Sequence, residues 1–82
     1  MSEREWRFYV RDIIGFCEKV LAFTAGLQQA QFEKDAMRFD ATLRNLELIG
    51  EAASHIPQNV RDAHPAVPWR MLIATRNQLI HG

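Results

Sequence analysis

Two side chains close together in this sequence, Arg76 and His81 in the string Arg76-Asn77-Gln78-Leu79-Ile80-His81, are of types that handle phosphate and protons. An arginine presents a fixed planar cation whose fork matches phosphate oxygens, and an unperturbed histidine titrates near neutrality, so it can give or take a proton. Such a pair suits acid–base chemistry at a bound anion such as a phosphate, where one group moves a proton and a fixed cation offsets the negative charge. If residues 69–81 form a helix turning about 100° per residue, Trp69, Leu72, Ile73, Leu79 and Ile80 share one face and Arg76 projects from its middle. A guanidinium buried there without a partner is strongly unfavourable, so Arg76 must meet a carboxylate, a second subunit or an anionic ligand. Asn77 and His81, four apart, lie side by side on the polar shoulder of the stripe.

Each of these residues also has a purely structural reading. Arg76 can form a salt bridge to Glu47 or Glu51, and a glutamate in that role would also hold the arginine in place. His81 can serve as a cation at a helix C-terminus, worth ~0.3–1 kcal/mol. The remaining candidates are weaker. His55 and His64 lack the cysteine and carboxylate spacing of a metal site and read as surface or loop histidines. Asp40, Glu47 and Glu51 read as an ionic helix face rather than a carboxylate metal cluster, because no Glu-x-x-His accompanies them. Cys17 falls on an apolar stripe and is expected to be a buried packing thiol. No metal and no cofactor is expected.

The elements that must position these residues are helices. Over residues 4–29, Trp6, Val10, Ile13, Cys17, Val20, Leu21 and Leu27 recur at three- and four-residue steps, with Ser2 placed to cap and Glu3 and Glu5 in the first turn. A second helix is expected over residues 32–55, with Phe39, Leu43, Leu46, Ile49, Gly50 and Ala53 on one face. Opposite them runs the charged ladder Asp40, Arg44, Glu47 and Glu51. Pro57 ends that helix, residues 58–64 have room for one helical turn, and Pro68 opens a third helix beginning near Trp69, which anchors it in the core. No stretch alternates as a strand would, so the class is all-α: an up-down bundle of two long antiparallel helices and a shorter third. A fourth apolar face is missing. Either a second subunit covers the open stripe or residues are lost from the C-terminus, and both are expected.

Eighty-two residues form one domain, which buries only roughly 60% of its unfolded surface. With one cysteine there is no internal disulfide, so self-association is the remaining stabiliser, and the free thiol fits a reducing cytoplasmic compartment. Ten basic and ten acidic residues cancel, which excludes nucleic-acid binding through a broad basic footprint but leaves room for a compact basic site. No signal peptide and no membrane span is expected.

Three blocks carry a family likeness: Leu43-Arg44-Asn45-Leu46-Glu47-Leu48-Ile49-Gly50-Glu51-Ala52-Ala53, then His64-Pro65-Ala66-Val67-Pro68-Trp69, then Arg76 to Gly82. In order and spacing they resemble the HepT-like branch of the HEPN superfamily over roughly the last forty residues. The resemblance implies a HEPN-type bundle and a homodimeric, metal-independent endoribonuclease, the toxin of a toxin–antitoxin pair. It implies further that Arg76 and His81 meet their two-fold mates in a composite cleft at the dimer interface, supported by Asn77. The partner it implies is an MNT-type nucleotidyltransferase, which in some members silences the toxin by attaching AMP to a tyrosine two residues after the histidine. The sequence stops at Gly82, so the tyrosine and the family's C-terminal helix are not in it, and the domain is expected to be C-terminally truncated. A non-catalytic helical adaptor that docks the nucleotidyltransferase through its apolar stripe is the alternative reading.

Overall fold

In the computed structural model, residues 2–82 are described, and they form five helices without a strand among them. Helix α1 spans Glu3–Thr24. It starts where the Ser2 hydroxyl accepts from the Glu5 amide at 3.2 Å, with Glu3 and Glu5 at the positive end of the helix dipole. It stops five residues short of the expected 29. The Thr24 hydroxyl donates back to the Val20 carbonyl at 2.8 Å, and Gly26 at φ 71 takes the left-handed turn that glycine adopts most readily.

The single helix expected over 32–55 is two, α2 at Gln29–Lys34 and α3 at Ala36–Ser54. Asp35 makes the break, because its carboxylate accepts from the Arg38 amide at 3.1 Å and so caps α3 rather than continuing α2. Phe32 and Phe39 pack across the joint with ring centroids 5.4 Å apart. Helix α4, Gln58–Ala63, follows Pro57. Helix α5, Trp69–His81, has the expected bounds, with Pro68 at its cap instead of its first turn. Trp69 is half-buried, and its indole donates to the His64 carbonyl at 3.0 Å, tying the loop to the start of α5.

Helix α3 lies between α1 and α5 and packs against both. Among the described residues, the buried apolar ones, Ile49, Ala52, Ala53 and Ile56, all belong to α3 or the turn leaving it. A helix with two neighbours cannot be described by one stripe. Thr42, Asn45 and Ala52 are buried although they lie outside the expected face, whereas Phe39, Leu43 and Leu46 are only half-buried. Asn45 offsets part of its burial by donating to the Ala41 carbonyl at 2.8 Å.

The expected burial of Cys17 is wrong: its side chain is exposed. The half-buried face of α1 runs through Tyr9, Ile13, Phe16, Val20 and Phe23, and at about 100° per residue Cys17 falls to its rim beside Ile14 and Leu21, which are exposed. Among the described residues, no helix is long and apolar enough to cross a membrane.

Candidate functional site

The site begins with a missing side chain. A Cβ at Gly50 would lie 2.2 Å from the Arg76 Cβ and 2.6 Å from the Leu72 carbonyl oxygen, so α5 rests directly on the backbone of α3 at this point. That contact puts Arg76 against α3 one residue before Glu51. An Arg76 terminal nitrogen, Nη2, donates to Glu51 Oε2, while Nη1 donates to Asn77 Oδ1 at 2.8 Å. The Arg76 side chain keeps 27% of its surface exposed. Its Nε is buried without a hydrogen-bond partner among the described residues. Two of its five donors are therefore used, and a cation held this way retains donors for an incoming anion.

Glu51 is shared. Its other oxygen, Oε1, lies 3.2 Å from His55 Nε2, and the His55 ring stacks on Tyr9 with centroids 4.7 Å apart and planes 12° from parallel. A continuous line of contacts thus runs from Tyr9 on α1 through His55 and Glu51 to Arg76 and Asn77 on α5. His55 is a surface histidine, but one tied into the site rather than free of it. Its signal in the sequence was the four-residue step from Glu51, the spacing at which helical side chains pair. Tyr9 carried no comparable signal, since only the tertiary packing of α1 on α3 brings it to His55.

Glu47 is elsewhere: it accepts from Arg44 at 3.2 Å and is not joined to Arg76. Asn77 and His81 are both exposed on α5. Five residues at about 100° each put His81 about 140° around the helix from Arg76, so a single copy of the chain does not converge the two side chains. Among the described residues, no group of three or more histidine, cysteine or carboxylate side chains is placed to hold a metal ion.

Comparison with known proteins gives a consistent set of relatives. The family model described as "Ribonuclease HepT-like" matches residues 13–82. A Methanocaldococcus jannaschii protein named "Putative RNase" is 36% identical over 81 residues, 99% of this chain and 74% of its own length. A "Putative RNase" of Caldanaerobacter subterraneus subsp. tengcongensis is 36% identical over 75 residues, 92% of this chain and 67% of the relative. A "Probable ribonuclease HepT" of Thermococcus cleftensis is 35% identical over 80 residues, 98% of this chain and 73% of the relative. No solved structure matches the chain.

Proposed function

This chain belongs to the HepT-like ribonuclease family, and from that premise we propose that it is a metal-independent endoribonuclease whose site is completed by a second copy of itself. The observation that carries the reading is Arg76, set on α3 at Gly50, steadied by Glu51 and Asn77, and left with donors to spare. Such a group binds a phosphate in fixed orientation and stabilises the charge that builds on the phosphorane. His81 faces another side of α5, so on this reading a two-fold mate has to bring an imidazole to Arg76. The Arg76 and His81 of each copy would then face those of its mate across one composite cleft. One imidazole takes the 2′-hydroxyl proton, the freed oxygen attacks phosphorus, and the other imidazole protonates the departing 5′-oxygen. The products are a 2′,3′-cyclic phosphate and a 5′-hydroxyl end. Exposed Ile14, Leu21, Met71 and Ile80, beside a core of four buried apolar residues, support self-association.

Within the family reading, the protein is the toxin of a toxin–antitoxin pair and its partner is an MNT-type nucleotidyltransferase. Parent protein and His81→Ala are incubated with RNA in EDTA. The parent is expected to cleave and the variant to be slower by at least about 100-fold, the scale of a lost general acid or base. Absence of cleavage by the parent, or equal cleavage by both, would remove the enzymatic reading and leave the non-catalytic adaptor. Sedimentation of the same samples reads the dimer independently of activity.

A further inference from the structure

The imidazole that grips Glu51 also borders a second cleft, about 800 Å³ in volume, between the start of α1 and helix α4. Trp6, His55, Pro57, Asn59 and Arg61 line it. Its polar groups are not equivalent. Glu3 is paired with Arg7 at 3.0 Å, and Gln58 donates to Asp62 at 2.8 Å. Arg61, by contrast, has a buried Nε with no hydrogen-bond partner among the described residues, and Asn59 is an exposed amide on the same short helix. His55 is ordered from two directions, by Glu51 at its Nε2 and by Tyr9 against one face.

The Arg7 guanidinium lies over one face of Trp6, 5.6 Å from the ring centroid, so the imidazole and the indole each have one covered face and one left for stacking, and an amide and a guanidinium beside them offer donors to a ring edge. Glu3 is neutralised by Arg7, which leaves Arg61 as a single cation among the described residues of the cleft, too little charge for a run of phosphates but suited to the acceptor edge of a ring. The volume lies in the range of about 300–1,000 Å³ typical of small-ligand sites. Glu51 joins the two places, since one of its oxygens meets Arg76 and the other meets His55. We infer that this cleft is a base-binding subsite for single-stranded RNA, receiving a nucleobase of the strand whose phosphate lies at Arg76. Its role in cleavage rests on the ribonuclease reading, whereas its ability to bind a base does not.

The test therefore has a binding arm and a kinetic arm. In NMR spectra of the whole protein, the indole N–H signal of Trp6, assigned by its loss in Trp6→Phe, is followed during titration with a short single-stranded RNA and with the same strand made abasic. The RNA is expected to shift the Trp6 signal and leave that of Trp69 in place, and the abasic strand to leave both in place. In the kinetic arm, Arg61→Gln and Trp6→Ala are expected to raise KM roughly tenfold with kcat little changed, and Trp6→Phe to keep most of the parent affinity because it keeps a stacking face. Thermal unfolding of each variant excludes loss of fold as the cause. Unmoved Trp6 with unchanged KM in a protein that cleaves RNA would overturn the subsite and leave the ribonuclease standing. A Trp6 shift in a protein that cleaves nothing would do the reverse.

Discussion

Arg76→Leu is expected to leave the protein at least as stable as the parent while lowering RNA cleavage about 10³-fold. The two effects separate because Arg76 occupies a position where a leucine packs. Its Cβ already lies against α3 at Gly50, and its neighbours one turn away on either side, Leu72 and Leu79, are half-buried. Removing one partner of an ion pair is costly only where it strands a buried charge, so the stability of the variant turns on the surroundings of Glu51. Glu51, 45% exposed, stays solvated and keeps its contact with His55, so no carboxylate is stranded. On the proposed reading what is lost is a fixed cation at the reacting phosphate, and removing a group of that kind costs roughly 2.7–4 kcal/mol of transition-state stabilisation, or about 10²–10³ in rate. Thermal unfolding and single-turnover cleavage on the same preparation check this. A variant that unfolds at much lower temperature would show Arg76 to be a structural ion pair, and one that cleaves like the parent would remove it from the site.

Gly50→Ala is expected to damage both properties. The added methyl would sit 2.2 Å from the Arg76 Cβ and 2.6 Å from a backbone oxygen of α5, so no rotamer change relieves it and the helix itself must move. Overpacking of this kind costs about 1–3 kcal/mol, and each kcal/mol lowers Tm by roughly 4–8 °C in a domain of this size. Cleavage falls further than stability alone accounts for, because lifting α5 withdraws Arg76 from Glu51. Gly15→Ala is the internal control. Nothing lies within 4 Å of a Cβ there, so alanine is expected to raise stability by roughly 0.5–1 kcal/mol and leave cleavage unchanged. Equal thermal shifts for the two substitutions would contradict the close helix approach.

How far the sequence could be read depends on whether a signal is local. The bounds of α5 follow from Pro68 and Gly82 and agree with the structure. The end of α1 is masked in the sequence because the apolar periodicity continues to Leu27, beyond the turn at Gly26. The break at Asp35 has a local cause, a carboxylate that caps, but the periodicity on either side of it masks the interruption. Burial on α3 was the least legible property. Thr42 and Asn45 are inside only because α1 and α5 enclose the helix from two sides, and a wheel drawn for one neighbour places them at the edge. For the site, Arg76 and its choice between Glu47 and Glu51 could be posed from sequence, but the answer depended on the contact at Gly50. The separation of His81 from Arg76 was visible in the helical turn alone.

The concentration of buried residues on α3 has a consequence for how the chain opens. Helix α5 contributes no fully buried residue, so it can detach by sub-global fluctuation while the amides of α3 keep their protection until the whole molecule unfolds. Hydrogen exchange should rank the two helices accordingly. Because Arg76 reaches Glu51 only when α5 is docked, the competent fraction of the protein is set by that local equilibrium. A body that covers the outer side of α5, such as the second copy proposed above, would shift the equilibrium by mass action, so on that reading cleavage capacity would depend on occupancy at a distance from the reacting phosphate.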